Sequence, residues 1–240
     1  MRLSDFAVLT FDCYGTLIDW ESGIHAALQP LVRKAGTTLS RDAVLQSFAR
    51  HESEAEADTP GLLYSALLSE VHRRLSRDWG VEPDPAAEAA FGASVPDWPA
   101  FPDSASALAY LKGFYKLVIL SNVDRKSFAG SARRLGVAFD AVYTAEDIGS
   151  YKPDPRNFRY MLDHLAAEGI QPGAILHTAQ SLFHDHAPAQ ALGLATAWID
   201  RRHAEGGWGA TPPQPDAKYD LRFTSLEEMA AAHRAEMASR

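Results

Sequence analysis

The chain has 240 residues, of which 46% are hydrophobic and 22% charged, and its formal net charge at pH 7 is -8. This composition is typical of a globular protein that buries a sizeable core without disulfides or metals. The acidic balance disfavours nucleic acid and anionic membranes as partners, and no apolar run is long enough for a membrane span. Cys13, the single cysteine, excludes an intrachain disulfide, and no signal peptide is evident. We therefore expect a cytoplasmic protein.

Apolar runs and helical patterns alternate along the chain. The apolar runs predict buried parallel strands at residues 7–11, 117–120, 174–176 and 195–199. The helical patterns predict helices at residues 105–113, 126–135, 155–168 and 225–238. This alternation predicts an α/β fold with a doubly wound parallel core sheet.

The first two predicted strands are separated by about 100 residues, far more than an ordinary crossover needs. Amphipathic patterns with turn signals between them predict helices there at residues 22–35, 40–57, 60–79 and 84–93. Three prolines in the stretch from Val95 to Pro102 forbid a regular helix and mark the return to the sheet. We therefore predict a core domain at residues 1–19 and 99–240, with an inserted helical cap domain at residues 20–98.

The first apolar run ends at Asp12, and a turn containing Gly15 follows at once. This order puts a carboxylate at the carboxyl end of a buried strand, where open parallel sheets place their chemistry. Such a carboxylate is a nucleophile or an electrostatic anchor, and the plainer alternative is a turn cap.

Polar residues also follow later strands. Ser121 and Asn122 end the second apolar run, where they either cap a turn or join Asp12 at the same edge of the sheet. Lys152 precedes a helix that a proline starts. A lone lysine is usually a solvated surface charge, but beside a buried carboxylate it keeps that carboxylate ionised. The run from His184 to His186 has poor spacing for chelation, so no metal site is predicted.

In order and spacing, these segments resemble the four motifs of the haloacid dehalogenase superfamily, in which the aspartate matching Asp12 is the nucleophile. Phosphatases of that superfamily usually carry a second aspartate two residues later and an acidic pair in the fourth motif, which together hold magnesium. Here Tyr14 follows the nucleophile, and His177 and Thr178 stand at the first acidic position. The departures favour the L-2-haloacid dehalogenase branch, which attacks carbon and implies no metal and no cofactor.

The resemblance also implies roles for individual residues. The catalytic set that it implies is Asp12 as nucleophile, Lys152 as its partner and Asp185 near the attacking water. The substrate-binding set that it implies is Tyr14, Thr16, Trp20, Ser121, Asn122, Gln180 and Ser181. Arg50 is a candidate for the cap arginine that receives a halide, and a surface arginine is an equally good interpretation. Phe158 stands where the branch has a tyrosine.

Within this branch the motifs are most similar to those of hydrolases that open L-azetidine-2-carboxylate. Ring opening and dehalogenation both displace a leaving group from C2 of a small carboxylate. The sequence therefore predicts a metal-independent hydrolase that forms an Asp12 ester and converts L-azetidine-2-carboxylate to 4-amino-2-hydroxybutyrate. The alternatives are an (S)-2-haloacid dehalogenase, a magnesium-dependent phosphatase and a non-catalytic relative. A small carboxylate is the expected partner, and a homodimer is left open.

Overall fold

The computed structural model describes residues 1–36 and 38–239, and its centre is a six-stranded parallel sheet with the strand order β3-β2-β1-β4-β5-β6. The strands are β1 (Val8–Phe11), β2 (Lys116–Ser121), β3 (Ala141–Thr144), β4 (Ile175–Ala179), β5 (Ala195–Ile199) and β6 (Leu221–Phe223). Phe11 pairs with Ile119 of β2 and with Thr178 of β4. This register brings the carboxyl ends of the three central strands to one edge of the sheet.

Four helices occupy the long connection between β1 and β2, as the amphipathic patterns predict. They are α1 (Trp20–Ala35), α2 (Arg41–Asp58), α3 (Tyr64–Asp78) and α4 (Pro85–Gly92), and we call them the cap. Asp19 starts α1 by accepting a hydrogen bond from the Ser22 backbone, and Ser40 starts α2 in the same way. Buried side chains of these helices continue into the core beneath them, and the domain division at residues 19 and 98 stays a prediction.

Helices cover both faces of the sheet, which confirms the doubly wound architecture. The helices are α5 (Ser104–Leu111), α6 (Arg125–Leu135), α7 (Ala145–Ile148), α8 (Pro155–Ala167), α9 (Ala187–Ala191) and α10 (Leu226–Ala238). Side chains alternate between faces along each strand. Leu117 and Ile119 pack with α5, α6 and α10, whereas Val118 and Leu120 pack with α8 and α9.

The structure adds elements that the apolar runs do not predict. Strands β3 and β6 lie at the two edges of the sheet, and both are short and half-buried. Neither carries the continuous apolar run of a central strand, because an edge strand is covered less completely. A single turn of π-helix spans Leu182–His186. In the part of the chain that the structure describes, no helix is long and apolar enough to cross a membrane.

Candidate active site

Three charged side chains meet at the carboxyl edge of the sheet. The ammonium nitrogen of Lys152 lies 2.9 Å from Asp12 Oδ1 and 2.7 Å from Asp185 Oδ1, and it also donates to the Leu120 carbonyl at 3.0 Å. All three charged side chains are buried. The structure therefore brings together the three residues that the resemblance implies as catalytic, with the lysine between the two carboxylates.

The turn after β1 holds the Asp12 carboxylate in place. Gly15 has a φ of +90°, and a Cβ there would meet Trp20 and Gln180, so the turn needs glycine. The Thr16 hydroxyl donates to Asp12 Oδ2 at 2.8 Å and accepts from the Gln180 backbone N–H at 2.9 Å. Thr16, predicted as a substrate contact, thus lies beneath the cavity and orients the Asp12 carboxylate.

Asp185 reaches the site from the π-helix, an element that occurs often at functional sites. Its Oδ1 lies 2.9 Å from Nε2 of His177, and Nδ1 of that ring lies 2.8 Å from the Thr10 hydroxyl. A carboxylate only accepts hydrogen bonds, so Nε2 of His177 donates to Asp185. Asp185 Oδ2 is buried and has no hydrogen-bond partner among the described residues, which leaves it able to accept from a water.

The three charges shift one another's pKa. Burial raises the pKa of Asp12, and the charge of Asp185 adds to this, while the ammonium of Lys152 and the Thr16 hydroxyl act against it. Burial also disfavours ionised Asp185, but Lys152 and His177 together hold its pKa well below the usual range. Burial lowers the pKa of Lys152, but the two carboxylates outweigh it and raise that pKa. The lysine is therefore an ammonium shared between two acids.

A small cavity of about 40 Å³ opens above these groups. Its lining consists of Asp12, Tyr14, Trp20, Glu52, Glu56, Tyr64, Ser121, Asn122, Val123, Lys152, Gln180, Ser181, His184 and Asp185. Six of the seven predicted substrate contacts therefore lie at this cavity, and Thr16 is the exception.

Ser121 and Asn122 differ in whether their hydrogen-bonding groups are free to bind a ligand. The Ser121 hydroxyl is buried and has no hydrogen-bond partner among the described residues. The Asn122 amide is already engaged. Its Nδ2 donates to Glu56 Oε1 and to the Lys152 carbonyl, and its Oδ1 accepts from the Lys152 backbone N–H at 2.6 Å. Ser121 is thus the donor available to a substrate carboxylate, and Asn122 holds the segment that carries the lysine.

The cap contributes three residues that the sequence analysis missed. Glu52 and Glu56 are four residues apart on α2 and so share one face of the helix. Tyr64, from the start of α3, donates its hydroxyl to Glu52 Oε1 at 2.5 Å. The buried stripe of α2 that includes Leu45 and Phe48 continues through both acids at helical spacing, but acids on a helix usually face solvent, so the pattern alone does not identify them.

Other candidates lie outside the cavity. Arg50 is exposed and donates to Asp78 at 2.7 Å, so the structure places this proposed halide ligand on the surface. Phe158 is fully buried in α8 and packs edge-on against His177, with 4.9 Å between ring centroids.

The site does not fit the magnesium ion of phosphatase relatives. Tyr14 stands two residues after Asp12, and its hydroxyl lies 2.8 Å from that of Ser131. The cation between Asp12 and Asp185 is Lys152. Within residues 1–36 and 38–239, no group of three or more histidine, cysteine, aspartate or glutamate residues is arranged to hold a metal ion.

Comparisons with known sequences place the chain among hydrolases. The family model for haloacid dehalogenase-like hydrolases matches residues 6–178. The chain is 26% identical over 229 residues to (S)-2-haloacid dehalogenase 4A of Burkholderia cepacia, with 91% of each chain covered. It is 28% identical over 253 residues to phosphoserine phosphatase of Thermus thermophilus, with 92% of this chain and 97% of that one covered.

Solved structures of dehalogenases share the fold. The defluorinating L-2-haloacid dehalogenase Rha0230 has a TM-score of 0.79 at 22% identity, covering 98% of this chain and 99% of that one. The L-2-haloacid dehalogenase from Xanthobacter autotrophicus with chloropropionic acid covalently bound has a TM-score of 0.76 at 20% identity, covering 95% and 98%.

Proposed function

Because the chain belongs to the haloacid dehalogenase-like hydrolases, we propose that it displaces a leaving group from C2 of a small 2-substituted carboxylate. The nucleophile is Asp12, which stands at a strand end beside the ammonium of Lys152. The unpartnered hydroxyl of Ser121 is available to the substrate carboxylate. The proposed substrate is L-azetidine-2-carboxylate.

The charge balance of the cavity carries this choice of substrate. Among the described residues that line it, Lys152 is the one lysine or arginine, and it already bonds to two carboxylates. A 2-haloacid adds a further negative charge and then releases an anion, and a buried anion needs a cation that is not already paired. L-Azetidine-2-carboxylate brings its own ring ammonium with its carboxylate, so it enters with no net charge.

The proposed reaction has two steps. In the first, an oxygen of Asp12 attacks C2, and the bond between C2 and the ring nitrogen breaks. The electron pair of that bond stays on the nitrogen, which becomes an amine tethered through C4. The release of ring strain and the protonation of the nitrogen make this amine a sufficient leaving group.

In the second step, water attacks the carboxyl carbon of the Asp12 ester. Asp185 accepts the water's proton through its unpartnered Oδ2, while Oδ1 stays bonded to Lys152 and His177. The bond between the carboxyl carbon and the substrate-bound oxygen breaks, and that oxygen takes the proton back from Asp185 to become the 2-hydroxyl of the product. Asp12 keeps the oxygen of the water.

Dehalogenation of an (S)-2-haloacid is the second candidate. It is favoured by the relative from Burkholderia cepacia, which matches this chain over nearly its whole length. The two candidates are distinguished by comparing kcat/KM for L-azetidine-2-carboxylate with kcat/KM for L-2-chloropropionate. We expect the ring amine to be preferred, and a tenfold preference for the chloro acid would reverse the choice.

Single-turnover hydrolysis in heavy-oxygen water tests the ester. With enzyme in excess and a chelator present, we expect an unlabelled 2-hydroxyl in the first product and label in the peptide that contains Asp12. A labelled 2-hydroxyl in the first turnover would mean direct attack by water. Activity on phosphate esters that appears only when magnesium is restored would favour a phosphatase.

A further inference from the structure

We propose that Glu52 and Glu56, together with Tyr64, form a binding site for the ammonium group of the substrate. This inference rests on the proposed function and deepens it, because it assigns the class of leaving group: a cationic amine. The site is the cap wall of the cavity, which faces the nucleophile on the core side.

The two carboxyl groups are placed to act on one ligand. Both are buried, both line the cavity that contains Asp12, and they project from adjacent turns of α2. The Tyr64 hydroxyl donates to one oxygen of Glu52, and the Asn122 amide donates to one oxygen of Glu56. These two neutral donors orient the acids without neutralising them.

Neither acid has a lysine or arginine within ion-pair distance in the part of the chain that the structure describes. Among the described residues, the ionisable neighbour of Glu56 within 4 Å is Nε2 of His184, at 3.9 Å. Burial lowers the pKa of that histidine to about 4, so it is neutral near neutral pH. Glu21 differs from this pair, because that buried acid forms an ion pair with Arg202. A buried acidic pair without a cation beside it is either protonated or able to bind a cationic ligand.

A second observation points to a ligand that spans the cavity. The Ser121 hydroxyl, at the end of β2 on the core side of the same cavity, is buried and has no hydrogen-bond partner among the described residues. A small molecule with a carboxylate towards Ser121 and an ammonium towards Glu52 and Glu56 satisfies both walls. A 2-haloacid satisfies only the first.

The surroundings predict how binding responds to pH. Glu52 and Glu56 face each other and Tyr64 on α3. The core side chains nearest to them are Asn122, Tyr151, Lys152 and His184, and the acids further along the site are Asp12, Asp124 and Asp185. Burial raises the pKa of Glu52 to about 8, and burial and the charge of Glu52 raise that of Glu56 well above its ordinary value. A bound ammonium therefore displaces a proton, and affinity rises as the pH rises through that range.

The test is calorimetric binding to the Asp12→Asn variant, which leaves the ring intact. The matched ligands are L-azetidine-2-carboxylate and cyclobutanecarboxylate, which has the same ring with carbon in place of the ammonium. We expect the amine to bind at least about tenfold more tightly. Titration in buffers of different ionisation enthalpy should show proton release for the amine and none for the neutral ring.

Two further variants locate the effect. In the same background, Glu56→Gln should remove the preference for the amine, whereas Glu54→Gln, an exposed acid on the same helix, should retain it. The wild-type enzyme gives an independent measurement with unreactive ligands, 4-amino-2-hydroxybutyrate against 2-hydroxybutyrate. Equal binding of the two members of each pair, or a preference that survives Glu56→Gln, overturns the ammonium site.

The outcomes separate this inference from the reaction. A protein that prefers amines but fails to open the ring in heavy-oxygen water keeps the ammonium site and loses the proposed substrate. A protein that opens the ring without preferring amines keeps the reaction and loses the ammonium site. Binding of neither ligand with no ring opening overturns both.

Discussion

The two walls of the cavity handle negative charge in opposite ways. On the core side, Asp12 and Asp185 share the ammonium of Lys152. On the cap side, Glu52 and Glu56 are also buried, but within the described part of the chain their hydrogen-bond donors are neutral. The acids of the core wall are therefore neutralised by a lysine of the chain. The acids of the cap wall lack a positive charge, which a ligand can supply.

This difference separates reaction from recognition. Asp12 follows β1 directly, Asp185 lies on the π-helix after β4, and Lys152 comes from the segment between α7 and α8, so all three meet at the carboxyl edge of the sheet. The cap side chains stand on an inserted helix that is not part of the sheet. If the proposed function is correct, a relative that keeps the core wall and changes the cap wall should keep attack at C2 and change the leaving group.

Removing the nucleophile should break the core wall's function most completely. We expect Asp12→Asn to lower kcat by roughly 10⁴-fold or more, because the amide cannot form the ester. The fold should persist, since asparagine has nearly the same shape. Turnover of L-azetidine-2-carboxylate is the measurement, and Asp97→Asn, at an exposed position, is the control. Near-normal turnover by Asp12→Asn would assign the chemistry to another group.

Removing the shared cation should be the next largest effect. We expect Lys152→Ala to lower kcat by about 10³-fold and to destabilise the fold by about 3 kcal/mol, because two buried carboxylates then face each other. Lys152→Arg should restore part of the activity, since the charge returns with a different shape and reach. The measurements are kcat and thermal unfolding. If Lys152→Ala retained full activity, the lysine would have no part in the reaction.

The core wall could be predicted from the sequence, and the cap wall could not. Asp12, Ser121 and Lys152 stand directly after apolar runs or before a proline-started helix, and parallel topology brings such positions to one edge. Glu52 and Glu56 lie within the polar-looking stretch of a helix, where acids at this spacing usually face solvent. Only packing against α3 and the core shows that they face inwards.

The edge strands β3 and β6 were missed for a related reason. Half of the positions in β3 and all of those in β6 are half-buried or exposed, so neither sequence has the apolar run that identifies β1. The π-helix was missed because one inserted residue leaves no periodic trace over a single turn. Local patterns therefore predict what is buried on both faces, and they fail where burial depends on a distant element.

A smaller effect should come from the positioning of Asp185. His177 donates to Asp185 Oδ1, so we expect His177→Leu to lower kcat by about 10- to 100-fold, mainly by slowing hydrolysis of the ester. The Asp12 ester should then accumulate and be visible by mass spectrometry after rapid quenching. His177→Gln, which keeps a donor, should recover part of the rate. A loss of rate without accumulated ester would place His177 in the first step.

The smallest expected effect is on the free energy of unfolding. Its dependence on pH should have opposite signs for acids of the two walls. Lys152 and His177 hold the pKa of Asp185 below its ordinary value, so its contribution to stability is present near neutral pH and is lost as the pH falls. Burial raises the pKa of Glu52 to about 8. Its contribution is therefore complete below its ordinary pKa and is lost as the pH rises towards about 8.

Glu52→Gln should consequently stabilise the empty protein at high pH and change little at low pH. We expect a gain on the order of 2 kcal/mol near pH 8.5, a few degrees in Tm, and almost none near pH 5, because glutamine matches the protonated acid in both hydrogen bonding and charge. Thermal unfolding at both pH values measures this, with Glu54→Gln as the exposed control on the same helix. Equal destabilisation at both pH values would show that the folded cap already accommodates ionised Glu52. The cap wall would then not require a cation from a ligand.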